Sequence, residues 1–506
     1  MARKQGAVWS YIFMVLEMLS SILFTPFLIR SFGQAEYGIY SLVLSITAYL
    51  TLLDMGVGNA IVRYMAKFRA LNDNNKQRNL LAVTVTFYTA VGILAIIVGV
   101  VLNSNMDLIF GKGLDTSQIS RARQMFSITM FNVAFTLIFA PFDKTIVAFE
   151  KFVFQKFLAI IKIIVRVGIS VIVLILGGKG VAIVSVNFSM TVIFGIVSVL
   201  FVAFKLHVLP KFKGMNLSFI KDILGYSVFV FIQMIATQIN ALVDQILIGA
   251  LVSSSAVILG VYAVGAQINQ YFQSIAGGIN GVLMPGVVNI VEHKASSDRL
   301  LSEMIKIGRI LFMILGLVWG VFLIMGDEFI VLWAGEANSQ AYTVACILIT
   351  PMMLTLVQSI GSQILWALNK HKVQAFLKIA VAVLNIFLTI LLIKWDPLIG
   401  ASIGTAIAIV IGDIIVMNIV FTKDIGISMK KYYAGLLKGI LPNIIVAMIV
   451  GIIIKTIIPH SGWMGFILIC GVMIVLYAVL MYINGFNQYE KQLFNNTINK
   501  FKMRKK

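Results

Sequence analysis

The segment from Lys151 to Leu176 reads KFVFQKFLAIIKIIVRVGISVIVLIL and decides the fold class. A helix of this length, at about 1.5 Å per residue, crosses the hydrocarbon core of a bilayer, yet Lys162 and Arg166 lie near its middle. Helical spacing places both cations on one face and adds Gln155 to the same face. Each central cation costs roughly 2.5 to 3.5 kcal/mol in a bilayer. This face therefore needs an aqueous cavity, a counter-charge or an anionic ligand.

Two interpretations of the Lys162 and Arg166 pair stay open at this point. In the first, the cations form an internal salt bridge, with Glu17 of the first apolar run as the expected partner. In the second, they form a cationic surface that faces an anionic substrate. The segment contains no acidic residue of its own, which favours the second interpretation.

The composition of the whole chain is that of an all-α polytopic membrane protein. Of its 506 residues, 60% are hydrophobic and 12% are charged, which excludes an ordinary soluble fold. Apolar runs of about 20 residues predict about fourteen transmembrane helices. The predicted spans cover residues 9–29, 37–62, 80–102, 124–147, 153–176, 181–204, 223–248, 257–286, 307–326, 342–368, 373–393, 398–421, 434–458 and 463–483.

The net charge of +20 is distributed unevenly between alternate loops. Most of the 40 lysines and arginines fall in loops on the same side as the N-terminus, and the positive-inside rule assigns that side to the cytoplasm. Both termini are therefore predicted to be cytoplasmic. The basic end of the chain, KFKMRKK, is predicted to contact anionic membrane lipids rather than nucleic acid.

The sequence lacks motifs for catalysis, nucleotide binding or metal binding. It contains no Walker A sequence, no HExxH and no glycine-rich dinucleotide loop, and Cys346 and Cys470 fall within predicted spans. We therefore predict no catalytic residue, no cofactor and no metal site. Transport would be driven by a proton or sodium gradient, by the membrane potential or by downstream use of the product, rather than by ATP.

A weak internal repeat relates the two halves of the chain. KFVFQKFLAI at 151–160 matches KHKVQAFLKI at 370–379, and YGIY at 37–40 aligns with LGVY at 259–262. Both pairs are six spans apart, so the copies have the same orientation in the membrane and form parallel repeats. The predicted domains are a six-helix N-terminal lobe at 1–204, a cytoplasmic linker at 205–222, a six-helix C-terminal lobe at 223–421, and two additional helices with a basic tail at 422–506.

Predicted spans seven and eight each carry a polar stripe, a set of side chains that share one helical face. Such stripes suit sugar hydroxyls or water in a central cleft. They also suit hydrogen bonds between helices, worth about 0.6 kcal/mol each on average, and both interpretations stay open. The candidate lining residues in these spans are Gln233, Asn240, Gln267 and Gln270.

Four acidic residues within predicted spans are candidates for ion coupling or for pairing with the cations. A buried acid can be protonated, can pair with a cation or can exchange protons with a gradient. In the second span, glycines that can loosen the helix follow the acid in the stretch LLDMGVGNAIVR. The four candidates are Glu17, Asp54, Asp244 and Asp413.

Several short stretches resemble one family. SFGQAEYGIY at 31–40 and LLDMGVGNAIVRYMA at 52–66 are similar to the opening of bacterial polysaccharide-biosynthesis flippases, the Wzx-type exporters of the multidrug/oligosaccharidyl-lipid/polysaccharide superfamily. The junctions AFEKF and ALNKH, and the stretches DQILIG and GVYAVG, fit the same pattern. The resemblance extends over essentially the whole chain.

The resemblance implies two six-helix lobes arranged in a V around a central cavity. It implies alternating access that moves an undecaprenyl-pyrophosphate-linked oligosaccharide across the bacterial cytoplasmic (inner) membrane, in contact with polysaccharide assembly machinery. It also implies cationic residues in the cavity, for which Lys162 and Arg166 are the candidates. The alternatives are a lipid II-type or multidrug exporter of the same superfamily and, from a different class, a membrane glycosyl polymerase or ligase.

Overall fold

The computed structural model is helical, with no β-strand in the residues it describes, which are 2–215, 218–292, 296–368, 370–458, 462–492 and 495. Each of the fourteen predicted spans coincides with one helix or with consecutive helices. The helices of the N-terminal half are α1 Ala2–Phe32, α2 Gln34–Leu50, α3 Val57–Ala70, α4 Asn74–Ser104, α5 Met106–Phe110, α6 Thr116–Ala148, α7 Phe152–Ile175, α8 Gly180–Leu200, α9 Ser218–Leu251 and α10 Ala256–Glu292. Those of the C-terminal half are α11 Ser297–Ala334, α12 Ala341–Val357, α13 Ser359–Ala367, α14 His371–Leu392, α15 Pro397–Ile409, α16 Met417–Val420, α17 Met429–Leu437, α18 Leu441–Ile457 and α19 Gly462–Leu480.

The length and apolarity of these helices make the chain a multi-pass membrane protein. Over the described residues, eleven helical runs qualify as membrane spans, and thirteen qualify if the bent pairs α12/α13 and α17/α18 each count as one span. The predicted eighth span corresponds to α10, where Gln267, Asn269 and Gln270 lower the hydropathy. The predicted fold class is confirmed. The bends of 44° and 45° in the two pairs are features that the apolar runs do not predict.

Contacts divide the chain into two compact units. Unit 1 comprises residues 1–264 and 375–405, and unit 2 comprises residues 265–374 and 406–506. The lobes predicted from the sequence follow the internal repeat rather than the contacts within the fold. The division into two lobes and a C-terminal extension therefore stays a prediction.

In unit 1 the long helix α6 packs against α2, α3, α4 and α8, while α1 packs along α7. A capping box begins α6: the Asp115 carboxylate accepts from the Gln118 amide at 2.9 Å, and the Gln118 side chain accepts from the Asp115 amide at 3.0 Å. The hydrogen bonds from the Gln118 amide and the Ser117 hydroxyl hold the pKa of Asp115 below its usual range. This charged cap stabilises the first turn of the helix that organises the unit.

The second predicted span is broken between α2 and α3. A 3-10 turn, Thr51–Asp54, is followed by Met55 and Gly56, which adopt left-handed conformations with φ of 52° and 71°. Glycine takes this conformation without the steric cost that a side chain adds. The predicted loosening of the helix after Asp54 is therefore present, and it takes the form of a complete interruption.

The starts of α2 and α10 cross in direct backbone contact within unit 1. A Cβ atom added at Gly38 would lie 2.0 Å from the Ala256 carbonyl oxygen, and one added at Gly260 would lie 2.5 Å from the Gln34 carbonyl oxygen. Gly38 and Gly260 are equivalent positions of the sequence repeat. The two repeat-related stretches thus meet at a crossing that only glycine allows; we call it the glycine crossing.

Further hydrogen bonds join α2 to α9 beside the glycine crossing. The Gln245 side-chain oxygen accepts from the hydroxyls of Ser41, at 3.1 Å, and Ser45. The Ser255 amide donates to the Gly113 carbonyl at 2.7 Å, which ties the turn before α10 to the loop before α6. These polar groups are matched to one another, so the junction is specific as well as close.

In unit 2 the long helix α11 packs against α12, α13, α17, α18 and α19. The buried Arg309 guanidinium binds the Glu490 carboxylate through Nε at 2.6 Å and Nη2 at 3.0 Å. Its remaining N–H groups donate to the carbonyls of Gly435, Lys438 and Gly485. Every donor of this arginine is satisfied, which anchors the C-terminal helices and the segment after α19 to α11.

Candidate functional site

The polar face of α7 lines a cavity of about 230 Å³ inside unit 1. The cavity is bounded by α6, α7 and α8, and Gln155 and Lys162 both line it. Asp143 of α6 and Ser198 of α8 line the same space. The face predicted from the spacing of polar residues therefore points into the helix bundle of unit 1.

Lys162 has an acidic neighbour in Asp143, whose negative charge attracts the ammonium group. The buried Ser198 hydroxyl lines the cavity next to Asp143 and can donate a hydrogen bond to it. An opposite charge and a hydrogen bond together offset much of the cost of holding ions away from bulk water. Asp143 is not among the predicted site residues, although an acid inside predicted span four, directly before Lys144, is a detectable signal.

Arg166 lies one turn further along α7, near Tyr40 of α2. The Tyr40 hydroxyl hydrogen-bonds the Asn187 side chain on α8. Among the described residues, no carboxylate oxygen lies within 4.0 Å of the Arg166 guanidinium. In the described part of the chain, therefore, no salt bridge neutralises the Arg166 charge.

Glu17, the predicted partner of these cations, lies on α1 with an exposed side chain. α1 packs along α7, but the acid that the structure places beside Lys162 is Asp143. The pairing of Glu17 with Lys162 or Arg166 stays a prediction.

A second polar cluster in unit 1 surrounds Asp244 of α9. The buried carboxylate accepts hydrogen bonds from Tyr262 of α10, from Thr389 of α14 at 2.9 Å, and from Thr405 of α15 at 2.5 Å. Four helices therefore converge on one acidic group. Sequence analysis identified Asp244 but not its partners, because hydroxyl groups on separate apolar runs give no periodic signal.

Asn385 of α14 completes the Asp244 cluster. Its Oδ1 lies 3.1 Å from the Thr389 hydroxyl oxygen and 2.9 Å from the Thr405 hydroxyl oxygen, while its Nδ2 has no hydrogen-bond partner in the described part of the chain. Each threonine has one hydroxyl proton, which Asp244 accepts, so a rotated amide could donate Nδ2–H to both threonine oxygens instead of accepting from them. In either orientation, hydroxyl and carboxylate oxygens surround this point, and hard oxygen ligands suit small cations.

The comparisons with known proteins fit this arrangement of a membrane helix bundle with two internal polar clusters. A family model described as "Polysaccharide biosynthesis protein" matches residues 4–291, more than half of the chain. The chain belongs to the polysaccharide biosynthesis protein family. No curated protein matches this chain significantly.

Solved structures of membrane transporters share the fold of this polysaccharide biosynthesis protein. "Lipid II flippase MurJ, inward closed conformation" is similar with a TM-score of 0.67 and 15% identity, over 95% of this chain and 98% of that one. An inward-facing MATE family multidrug resistance transporter of the MOP superfamily gives a TM-score of 0.64 at 11% identity, over 82% of this chain and 94% of that one. The family match links the chain to polysaccharide biosynthesis, and the structural likeness shows that it has the fold of these MurJ and MATE transporters, as the sequence predicts.

Two other predicted cavity-lining residues lie on α9, the helix that carries Asp244. Gln233 is half-buried, and its backbone carbonyl accepts from the exposed Thr237 hydroxyl at 2.8 Å. The side-chain oxygen of Asn240 is buried and has no partner among the described residues. The predicted roles of both residues in lining a cavity stay predictions.

Three predicted site residues of the protein belong to unit 2. Gln267 is half-buried and Gln270 is exposed on α10. Asp413 is buried in a π-helical turn, and its backbone carbonyl accepts from the Gln358 side chain at 2.5 Å. Their predicted contact with substrate or ion remains a prediction, since each lies in a different unit from the α7 cavity.

Asp54 of this polysaccharide biosynthesis protein lies at the break between α2 and α3. Its carboxylate accepts a hydrogen bond from the Tyr88 hydroxyl of α4 at 2.5 Å. The bond joins the interrupted helix to its neighbour in unit 1, so a packing role accounts for this contact. Among the described residues, no group of three or more His, Cys, Asp or Glu side chains could hold a metal ion.

Proposed function

We propose that this chain is a flippase that moves a polyprenyl-pyrophosphate-linked oligosaccharide across the bacterial cytoplasmic membrane by alternating access. The observation that carries the proposal is Arg166, a cation in the middle of a membrane helix that lies near Tyr40 and has no carboxylate within 4.0 Å among the described residues. A guanidinium in this environment favours an anionic ligand, and its planar set of donors matches phosphate oxygens.

The chemistry of such a substrate fits the polar groups within unit 1. The pyrophosphate needs a cation inside the low-dielectric region, the sugars need hydrogen-bond donors and acceptors, and the prenyl chain stays in lipid. Arg166 meets the first need, and the α7 cavity with Gln155, Lys162 and Ser198 meets the second. The membrane potential assists, because moving one negative charge outward is favourable by about 2.3 kcal/mol per 100 mV.

The Asp244 cluster supports coupling of this transport to a proton or a sodium ion. Asp244, Thr389, Thr405 and Asn385 bring oxygen atoms together within hydrogen-bonding distance of one another. A proton would convert the acid into a neutral donor, and a sodium ion would replace the hydroxyl donors as the partner of the carboxylate.

A lipid II-type exporter is the second candidate, because MurJ, whose title names a lipid II flippase, shares the fold over 95% of this chain. Its substrate has the same pyrophosphate and differs in the headgroup. A multidrug exporter is favoured less, since an arginine in the membrane without a carboxylate partner in the described part of the chain disfavours a cationic drug. The family described as polysaccharide biosynthesis proteins favours the oligosaccharide.

Complementation of a strain that lacks its oligosaccharide flippase tests the proposal. Wild-type protein should restore surface polysaccharide, Arg166→Ala should abolish export at an unchanged protein level, and Arg166→Lys should retain part of it because charge persists without the bidentate geometry. Lys156→Ala is the matched control, a cation near the end of the same helix whose ammonium lies 4.8 Å from the Phe13 ring. Full export by Arg166→Ala, or restoration of a lipid II flippase strain alone, would contradict the oligosaccharide proposal.

A further inference from the structure

The α7 cavity lies near one end of the α6, α7 and α8 bundle in unit 1. Its lining comes from the ends of three helices nearest the turn between α6 and α7, namely 136–146 of α6, 155–162 of α7 and 191–198 of α8. Its volume of about 230 Å³ is smaller than the roughly 300 to 1,000 Å³ of pockets that hold drug-sized ligands. The space therefore suits one ring-sized group rather than a chain of several.

The lining combines polar groups of every hydrogen-bonding type with aromatic surface. Asp143 accepts, Lys162 donates, and Gln155 and Ser198 can do both. Phe139 and Phe194 supply the apolar part of the wall. A ligand that fits such a wall has several hydroxyl groups around its edge and an apolar face of C–H bonds.

The charge of the cavity decides against the pyrophosphate as its occupant. Asp143 and Lys162 both line the cavity, so an anion there would meet an acidic side chain as well as a basic one. An uncharged ligand with hydroxyl groups benefits from both, because hydrogen bonds to ionised partners are stronger than those between neutral groups. Arg166 is not among the residues that line the cavity.

The shape of the aromatic wall depends on a glycine. A Cβ atom at Gly195 would lie 2.1 Å from Cδ2 of the Phe139 ring, so the ring rests directly on the backbone of α8. Phe139 also packs against Phe135 at 6.1 Å between ring centroids, which holds it in place. The ring is thus a fixed apolar surface beside the Asp143 and Lys162 pair.

We propose that the α7 cavity binds one uncharged sugar ring of the lipid-linked substrate, while the pyrophosphate is bound elsewhere. The proposal rests on the proposed flippase function and names the part of the substrate that this cavity recognises. Lys162 and Gln155 are then contacts for sugar hydroxyls rather than for phosphate, and Asp143 is a further specificity residue.

Binding to the purified full-length protein in nanodiscs tests the sugar site. The probes are undecaprenyl pyrophosphate and its conjugates with glucose, galactose or N-acetylglucosamine. At least one conjugate should bind wild-type protein about tenfold more tightly than the bare lipid. Ala159→Phe, which fills the cavity without removing a polar group, should abolish that preference. Ile164→Phe on the exposed side of the same helix is the matched control and should retain it.

A second variant separates sugar binding from a purely structural ion pair. The double variant Asp143→Asn, Lys162→Met removes both charges together, so it should fold but lose the preference for conjugates if these groups bind sugar. Retained preference in this variant overturns the proposal, as does equal affinity of wild-type protein for the bare lipid and all conjugates; both results leave the flippase function standing. Failure of every lipid to bind would instead count against the flippase function itself.

Discussion

Under the proposed ion coupling, Asp244 is the residue whose charge would respond to a bound ion. Its buried carboxylate has three hydroxyl partners, from Tyr262, Thr389 and Thr405. Neutral donors stabilise a carboxylate without cancelling its charge, so a proton or a small cation would gain from binding there. Asp54 offers a comparison, because it also accepts from a tyrosine but lies at a helix break.

We predict that Asp244→Asn uncouples export from the ion gradient. The amide keeps the shape of the side chain but cannot bind a proton or pair with a cation. Coupling energies between ligand sites typically correspond to roughly 5- to 150-fold effects, so stimulation of this size by an imposed proton or sodium gradient should disappear. Export into sealed vesicles with and without each gradient measures the effect. Asp54→Asn should keep the stimulation, and wild-type stimulation in Asp244→Asn would reduce the cluster to a packing role.

For single residues, the sequence predicts which face of a helix is polar but not which residues of neighbouring helices that face contacts. The spacing of Gln155 and Lys162 places them together, and both line one cavity. Asp143 could not be assigned as the partner of Lys162, since that depends on the rotation of α6 relative to α7. Hydrophobic periodicity defines a helical face only relative to its own axis. The same limit hides Thr389, Thr405 and Asn385 as partners of Asp244.

At the scale of whole helices, the glycine crossing is a contact that the addition of a single Cβ atom would disrupt. Gly38 of α2 and Gly260 of α10 leave no room for a side chain, since carbonyl oxygens lie 2.0 and 2.5 Å from the points that their Cβ atoms would occupy. Transport by alternating access requires helices to separate and close again, and a crossing without side chains can close completely. A methyl group at either glycine should therefore hold α2 and α10 apart.

We predict that Gly38→Ala and Gly260→Ala each destabilise the protein by about 1–3 kcal/mol, the usual range for an overpacked contact. Gly168→Ala on α7 is the control, because nothing lies within 4 Å of its added Cβ atom. There the change should be neutral or stabilising by up to about 1 kcal/mol through helix propensity. Thermal unfolding of the purified variants gives the comparison. Equal melting temperatures for Gly38→Ala and Gly168→Ala would mean that the crossing is loose.

The positions of helices follow from apolar runs, whereas their interruptions depend on local backbone conformation. All fourteen predicted spans contain helices, because bilayer thickness fixes the length of an apolar run. The bend between α17 and α18 falls at Gly439, with φ of 76°, and α12 ends at Gln358. A hydropathy window averages over such points, so it treats each bent pair as one continuous helix.

Across the whole molecule, composition predicts the class of fold more securely than it predicts helix ends. α11 begins at Ser297, well before the predicted start of span nine at 307, so the buried Arg309 lies more than three turns inside the helix rather than at its start. Its bond to Glu490 joins it to a segment that the sequence assigns to a basic tail. The positive-inside rule still predicts the membrane orientation. It depends on the excess of Lys and Arg summed over many loop residues, so one arginine that lies in a helix instead of a loop does not change the prediction.

We predict that both termini are cytoplasmic, with alternate loops exposed on opposite sides of the membrane. Single cysteines at Ser254 and Ser339 should react with a membrane-impermeant maleimide in intact cells, and cysteines at Asn75 and Asp298 should react only after the cells are opened. All four side chains are exposed, whereas Asn338, next to Ser339, is buried and donates to the Ala334 carbonyl at 2.8 Å. Cys346 and Cys470 are first replaced by serine or alanine to remove background labelling. Labelling of Asn75 and Asp298 in intact cells, without labelling of Ser254 and Ser339, would invert the topology and, with it, the direction in which the membrane potential drives an anionic substrate.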